Sequence, residues 1–312
     1  MIAVATYTPA ARDAWNAFVA ASRNGTFLFH RDYMEYHADR FRDGSLLFYD
    51  GVELVAILPA SDDGERLVSH AGLTYGGLVT APRARAATIL ECFDALAAYA
   101  REHAIARLLY KRVPSIYHRV PSDEDLYALF RAGALLVRRD LASAVRMSAP
   151  LPYSKGRHAC VVRSRRSGVT VAESADFAAF MAIEEAHLQS KYNVRPVHTA
   201  AELELLASRF PANIRLFTAA RESRTIGGVV IYETDRVAHA QYIAANEEGK
   251  EHGAIDAVID HLLTRVYAAK PYFDFGISTE QQGRQLNSGL IANKESYGAR
   301  GIVYDAYELT FA

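Results

Sequence analysis

Two stretches of the chain repeat one order of apolar patterns. From Ser45, short apolar runs and turns predict three strands, a helix over residues 85–102, a strand, a short helix and closing strand pattern. From Ile214 the same order returns, with its long helix over residues 253–268. The two stretches share almost no residue identity. A repeated order of strand, strand, strand, helix, strand, helix, strand predicts duplicated architecture.

Helical patterns also precede each repeat. Near the N-terminus a helix begins at Thr8-Pro9, and a second one is predicted over residues 32–41. In the second half one helix follows Ser174 as its cap, and another begins at Thr199. The resulting fold class is α/β with a mixed α+β sheet, and the expected domains are residues 1–150 and 151–312.

Composition fits a globular protein with a large core. Of the 312 residues, 50% are hydrophobic and 23% are charged, which argues against disorder and suits two domains of ordinary size. The formal net charge of -1 gives no overall attraction to nucleic acid or to an anionic membrane.

Several further patterns bear on location and covalent chemistry. The two cysteines, Cys92 and Cys160, need no disulfide framework. The start "MIAVATYTPA" lacks the basic and apolar regions of a signal peptide, and no apolar run approaches the length of a membrane span. We therefore expect a cytoplasmic protein without a membrane span. The 11 histidines form no H-x-x-x-H pattern and no cluster with cysteine, so no metal is expected.

The stretch "SKGRHACVVRSRRSG", residues 154–168, is rich in lysine and arginine. It could be a patch that binds phosphate or RNA, or a solvated helix or linker between the halves. Because no aromatic residues are interleaved for base stacking, the pattern favours the helix or linker.

The order of elements resembles that of the GNAT (Gcn5-related N-acetyltransferase) superfamily. GNAT domains often end with a segment of the form N-x-x-A-x-x-L-Y-x-x-x-G-F. In "LNSGLIANKESYGAR", Asn287 is followed by Leu290 at the alanine position, Lys294 at the tyrosine position and Gly298 at the glycine position, while Ala299 stands in place of the phenylalanine. The spacing matches, although the alanine, tyrosine and phenylalanine of the family segment are replaced.

Longer phrases resemble the FemAB-like branch, whose members have two tandem GNAT domains. These are "HAGLTYGGLV", "RPVHTAAELELLASRFPANI" and "FDFGISTEQQGRQLNSGLIANKESYGAR". The resemblance implies acyl or aminoacyl transfer from a thioester or an ester to an amine. It also implies acyl-CoA (acetyl-CoA or longer) as co-substrate and no catalytic metal.

The resemblance places the acyl donor in the second half. In GNAT domains the fourth and fifth strands splay apart, the fourth strand binds the pantetheine amides, and the next helix N-terminus faces the pyrophosphate. The corresponding residues are Tyr242, Ile243 and Ala244 in the strand, Lys250, Gly253 and Ala254 in the phosphate loop, and Asn287 on the carrier amide. However, "KEHGA" fits only the start of the family pattern Q/R-x-x-G-x-G/A, and Glu247 and Glu248 would repel phosphate. An ordinary polar loop that caps a helix remains the alternative.

Three residues are candidates for the chemistry. Lys294 stands where the family tyrosine protonates the leaving thiolate; alternatively it pairs with a carboxylate on a solvated face. Asp274 could hold the substrate amine or act as a base, or could bond to neighbouring backbone or to a buried arginine. Glu280, in a loop, is a more accessible candidate base, although exposed glutamates in loops are common.

For the acceptor, the segment "KYNVRPVHT" is the best candidate because this connection forms the lip of the site in GNAT domains. Tyr192, Arg195 and His198 could contact an anionic or sugar-like acceptor there, with His198 alternatively a satisfied surface or core residue. The first half lacks an equivalent asparagine and lysine face. It is therefore expected to be degenerate for donor binding and to shape the acceptor side, with Tyr75 contributing.

The expected function is acyl transfer from acyl-CoA to an amine of a small molecule, an amino sugar or a cell-envelope precursor. The second hypothesis is aminoacyl transfer from aminoacyl-tRNA, as in FemAB relatives. Under this hypothesis tRNA is the expected nucleic acid partner. A catalytically silent ligand-binding protein that keeps the fold is the third.

Overall fold

The computed structural model describes residues 1–64 and 66–311, without the side chain of Tyr192. The chain divides into two compact units. The first comprises Met1–Asp140, Glu280–Gln285 and Val303–Ala312, and the second comprises Leu141–Thr279 and Leu286–Ile302. These units differ from a simple division at residue 150, because two stretches from the C-terminal part of the chain fall in the first unit.

Among the described residues, four α-helices and eight strands begin within the first 140 positions. The helices are α1 (Arg12–Ala21), α2 (Arg31–Met34), α3 (Ala86–Glu102) and α4 (Glu124–Arg131). The strands are β1 (Ile2–Thr6), β2 (Leu46–Asp50), β3 (Glu53–Leu58), β4 (Ser61–Asp62), β5 (Arg66–Val68), β6 (Val79–Thr80), β7 (Arg107–Lys111) and β8 (Leu135–Arg146).

In the described part that follows, there are six α-helices and eight strands. The helices are α5 (Lys155–Arg166), α6 (Phe177–Tyr192), α7 (Ala200–Arg209), α8 (Glu247–His252), α9 (Ala254–His261, continued by a π-helical turn) and α10 (Ser288–Glu295). The strands are β9 (Thr170–Ser174), β10 (Ile214–Arg221), β11 (Arg224–Glu233), β12 (Val237–Ala245), β13 (Tyr272–Ile277), β14 (Thr279–Glu280), β15 (Gln285–Leu286) and β16 (Arg300–Thr310).

The first unit has two groups of strands around one core. β1, β2, β3 and β6 form an antiparallel sheet, while β5 lies parallel to β7 and β7 pairs antiparallel with β16. Helix α3 presents its apolar stripe to this core, as its 3.6-residue period predicts. The core includes Phe48, Leu58, Ile89, Leu96, Leu108 and Tyr110.

The second unit contains a mixed sheet. β9, β10, β11 and β12 are antiparallel neighbours, β12 pairs with β13 in parallel, and β13 pairs antiparallel with β8. Helix α9 packs on one face of this sheet. The core there includes Phe217, Ile231, Val258, Leu262, Phe273 and Tyr297.

The closing strand of each repeat divides between the units. β8 closes the first repeat in the chain, yet its residues from Leu141 onward pair with β13 inside the second unit. β16 closes the second repeat, yet its residues from Val303 onward belong to the first unit, where Ala306 pairs with Lys111 of β7. Neither unit is therefore one continuous segment.

Several local expectations were wrong. The cap of α6 is Asp176, whose Oδ1 accepts from the Ala179 N–H at 2.9 Å, rather than Ser174. The helix expected over residues 32–41 has only its α2 turn and a following 3-10 turn. β1 and β9 were not predicted at all. In contrast, Thr199 forms a complete capping box with Glu202 at the start of α7.

Within the described part of the chain, the helices are all too short or too polar to cross a lipid bilayer.

Candidate active site

The second unit contains an opening between two parallel strands. β12 and β13 pair only at Val237↔Tyr272, Ala238↔Phe273 and His239↔Asp274. Beyond this point β12 stays paired with β11 as far as Ala245, while β13 turns at Gly276, whose φ of 71° favours glycine.

The edge of β12 that faces away from β11 consequently has no strand partner after His239 among the described residues. Tyr242, Ile243 and Ala244 lie on this edge. Exposed backbone N–H and C=O groups of this kind can bind an extended chain of amides. Their role in holding the donor stays a prediction.

Lys294 closes the end of this opening. Its side chain is 6% exposed, and its Nζ donates to the carbonyl oxygens of Gly276 at 2.8 Å and Ile277 at 2.6 Å. Burial lowers the pKa of Lys294 to about 8, and the negative charge of Asp274 partly opposes that shift. An ammonium has three N–H donors, so one remains beyond the two carbonyls and has no acceptor among the described residues. Among the described residues, Lys294 therefore does not form the ion pair with a carboxylate on a solvated face that the sequence left open.

Asn287 sets the start of the helix that carries this lysine. Its Oδ1 accepts from the Leu290 N–H at 2.9 Å as the N-cap of α10, and its own N–H donates to the Ser278 carbonyl at 2.9 Å. The asparagine of the family segment thus anchors α10 to the end of β13. Its proposed contact with the acyl carrier stays a prediction.

Asp274 is fully buried and is the last residue of β13 that pairs with β12. Its Oδ1 accepts from the Gly276 N–H at 2.8 Å, and its Oδ2 lies 3.0 Å from Nδ1 of His239 on β12. The carboxylate thereby fixes both the turn at Gly276 and the imidazole. Sequence reasoning missed His239; the parallel register that places it opposite Asp274 could not be read from either strand alone.

The stretch expected to be a phosphate loop is largely helical, which corrects the loop expectation. Asn246 caps α8 through the Gly249 N–H at 2.8 Å, and the side chain of Lys250 pairs with Glu247 at 2.6 Å. Gly253 separates α8 from α9 with a φ of 71°. The backbone N–H groups of Gly249 and Lys250 are therefore engaged within the helix.

The start of α9 is covered by α5. A Cβ built on Gly253 would lie 3.3 Å from Cβ of Ser164, and Ala254 is fully buried. Arg157 of α5 pairs with Asp256 in the first turn of α9, and Asp256 also accepts from the Tyr297 hydroxyl at 3.1 Å. The basic stretch 154–168 thus contains the helix α5, and Arg157 in it neutralises the Asp256 carboxylate of α9.

The candidate acceptor residues lie in different surroundings. The Nδ1 of His198 is 2.6 Å from the Tyr242 hydroxyl, which joins the α6–α7 connection to β12. Arg195 is exposed, and the side chain of Tyr192 lies outside the described residues. Tyr75 is buried in the first unit, where its hydroxyl donates to Thr26 at 3.3 Å. The exposed Glu280 also falls in the first unit.

The second unit therefore brings together Lys294, Asp274 and Asn287, and adds His239. No group of three or more histidine, cysteine, aspartate or glutamate side chains among the described residues could hold a metal ion.

Comparison with protein families gives a direct match. The model of the "Acetyltransferase (GNAT) domain" family matches residues 157–282, which include β12, β13 and the opening between them. Residues 157–282 therefore carry a GNAT domain. No curated protein sequence matches the chain.

Solved structures with the same fold extend the likeness to the whole chain. FemX aligns with a TM-score of 0.70 at 10% identity and covers 99% of this chain and 97% of its own. L-PGS from Bacillus licheniformis gives 0.63 at 14% identity, over 96% and 91%. A tandem GNAT protein of the clavulanic acid biosynthesis pathway gives 0.54 at 12% identity, over 100% and 99%.

These findings confirm the fold class: residues 157–282 match a GNAT domain, and the solved structures, among them a tandem GNAT protein, share the fold of the whole chain. The match of residues 157–282 to an acetyltransferase domain supports the expected enzyme class, a GNAT-type N-acyltransferase. Transfer of an acyl or aminoacyl group is the reaction that this class of domain supports.

Proposed function

We propose that the GNAT domain transfers an acyl group from acyl-CoA to an amine of a small molecule, an amino sugar or a cell-envelope precursor. The reaction takes place at the opening between β12 and β13. The observation that carries this proposal is the buried Lys294 ammonium at the end of that opening, with one N–H directed to neither carbonyl.

Lys294 supplies what the leaving group of a thioester needs. As the C–S bond breaks, its electron pair goes to sulfur, and the third N–H of Lys294 is the donor for the developing thiolate. A pKa of about 8 for Lys294 is close to the ~8.5 of an ordinary thiol, so the proton transfer is nearly balanced in energy. The buried ammonium can also stabilise negative charge on the tetrahedral intermediate.

The free edge of β12 supports the assignment of the donor site. A pantetheine arm carries two amides, and an unpaired strand edge offers N–H and C=O groups at the spacing of an extended chain. With the arm along Tyr242–Ala244, the thioester would reach the end of the opening where β12 and β13 part.

Asn287 gives a test that separates a capping role from donor contact. Asn287→Ala is expected to weaken acetyl-CoA binding about tenfold or more and to lower the free energy of unfolding by ~1 kcal/mol, because it removes both an amide and the N-cap. Calorimetric titration and chemical denaturation measure the two effects.

Asn287→Ser is the matched control, since serine also caps helices. It should keep the stability of the wild type and still lose the affinity for acetyl-CoA. Wild-type affinity in the serine variant would show that Asn287 serves α10 alone.

A second donor has one specific observation in its favour. Residues 247–252 form a helix with two glutamates in its first turn, and Glu248 is already paired with Arg221 and Arg224. This arrangement offers the pyrophosphate of coenzyme A a poor cradle, whereas an aminoacyl ester of tRNA needs none at this point. The FemAB-like resemblance implies such a donor, and the same Lys294 N–H would protonate a leaving ribose oxygen.

Binding measurements with defined donors decide between the two. Calorimetry with acetyl-CoA, a longer acyl-CoA and a charged tRNA should show saturable binding of an acyl-CoA under the first proposal. Binding of charged tRNA alone would transfer the proposal to the second donor. If none of the three binds, both proposals fail.

A further inference from the structure

We propose that His239, held by Asp274, is the general base that takes the proton from the attacking amine. This inference rests on the proposed function, since it assigns a residue to the acceptor half of the same reaction. It adds to Lys294 a second group with a distinct task, and it replaces Asp274 and Glu280 as the base.

The contact with Asp274 fixes which nitrogen of His239 carries the proton. The Asp274 carboxylate can only accept, and its Oδ2 lies 3.0 Å from Nδ1. Nδ1 must therefore be the protonated nitrogen, which leaves the lone pair of the neutral ring on Nε2. The buried carboxylate also stabilises the imidazolium that forms when Nε2 accepts a proton.

The second nitrogen is available to a substrate. Nε2 has no hydrogen-bond partner among the described residues, and 12% of the His239 side chain is exposed in the second unit, whereas Asp274 is fully buried. A general base needs access to the proton that it removes, so the imidazole meets this requirement and the carboxylate does not.

His239 and Lys294 converge on Gly276. A Cβ built on Gly276 would lie 3.2 Å from Cε1 of His239, and the carbonyl oxygen of Gly276 accepts from Lys294. His239 is also the last residue of β12 that pairs with β13, where the opening starts. The base and the acid therefore border one end of the opening, as attack and departure at a single carbonyl carbon require.

The proton balance of the reaction closes with these two residues. The amine nitrogen attacks the acyl carbon and a C–N bond forms, while Nε2 of His239 takes one proton from that nitrogen. The bond from carbon to the donor sulfur then breaks, and the sulfur takes one proton from Lys294. Return of the proton from the imidazolium to the neutral lysine, through water, restores both groups and leaves an amide and a thiol.

Two amines of different basicity test this role. With acetyl-CoA as donor, His239→Gln should lower kcat for 1,3-diaminopropane about 10²-fold, because that amine needs a base. The kcat for hydroxylamine, whose nitrogen is already neutral at pH 7, should fall much less. In the profile of kcat against pH for 1,3-diaminopropane, the acidic limb should disappear in the variant. The ionisable groups that neighbour His239 are Asp274 on β13, Lys294 on α10 and Tyr232 on β11. His261→Gln, on α9, is the matched control and should keep both rates.

Equal losses with both amines, or an unchanged acidic limb, would overturn the assignment. Nitrogen NMR of the imidazole supplies a readout that needs no turnover. Should the wild type acylate neither amine, the proposed function fails, and NMR still tests the dyad. The dyad is supported if Nδ1 carries the proton and its resonance shifts in Asp274→Asn. A proton on Nε2 in the neutral ring overturns the dyad.

Discussion

Lys294→Ala is expected to lower the turnover of acyl transfer about 10²- to 10³-fold, the cost typical of removing one donor that stabilises a transition state. The dissociation constant of acetyl-CoA should stay within about twofold, because the lysine side chain ends on Gly276 and Ile277 rather than on the free edge of β12. Single-turnover rates and calorimetry measure these two quantities separately. Equal loss of rate and affinity would instead indicate that Lys294 holds the donor.

The pH dependence provides the sign of the effect. Lys294 must be protonated to act as an acid, so with its pKa lowered to about 8 the rate should fall as the pH rises through that value. In Lys294→Arg the guanidinium stays protonated over this pH range. The variant should therefore lack the alkaline limb, and its turnover should stay low. An alkaline limb that persists in the arginine variant would belong to another group.

The same shift bears on folding, because a pKa that is lower in the folded state makes stability rise with pH. The folded-state pKa of Lys294 lies below its ordinary 10.5, so burial of the ammonium costs stability below about pH 8. That cost is relieved as the pH rises from about 8 to 10.5. The alanine variant is therefore expected to remain folded at pH 7, where the wild type carries the buried charge.

Arg157→Met is expected to lower the free energy of unfolding of the second unit by about 3 kcal/mol. The change leaves the Asp256 carboxylate without its buried cation, since the side chains of Arg157 and Asp256 are only 13% and 12% exposed. It also removes the stacking of the guanidinium on Tyr297, 4.2 Å from the ring centre, and the hydrogen bond to Ser296 at 2.9 Å. Urea denaturation followed by circular dichroism measures the loss.

A neighbouring pair on the same two helices is a matched control. Arg165 of α5 reaches Asp260 of α9 at 2.7 Å, but its side chain is 67% exposed. Arg165→Met should therefore cost less than about 1 kcal/mol, as exposed ion pairs usually do. Similar losses in the two variants would mean that burial does not decide the contribution of these pairs.

Much of the fold follows from short-range patterns. The period of the apolar residues predicted α3 and the two strands of the β2–β3 hairpin close to their observed bounds, and the Thr199 capping box marked the start of α7. Such elements are determined by neighbouring residues. β1 and β9 were missed because each has five residues and only one or no buried side chain, which gives little periodicity to detect.

The site was only partly predictable for the same physical reason. Lys294 and Asn287 lie seven residues apart on one helix, so a linear spacing matches them. His239 and Asp274 meet through the register of two parallel strands, 35 residues apart in sequence. The helix over residues 247–252 was also not predicted, because its glycine is typical of a loop. The hydrogen bond from the Gly249 N–H to Oδ1 of Asn246 caps the helix and favours it over a loop.

The path of β16 has a consequence for biosynthesis. A ribosome releases a chain from its N-terminus, and an early domain often folds before the next one is made. Here the β7 strand of the first unit pairs with residues 306–310, which follow the residues of the second unit in the sequence. The first unit must therefore wait, with the edge of β7 uncovered, until the residues of the second unit have been translated.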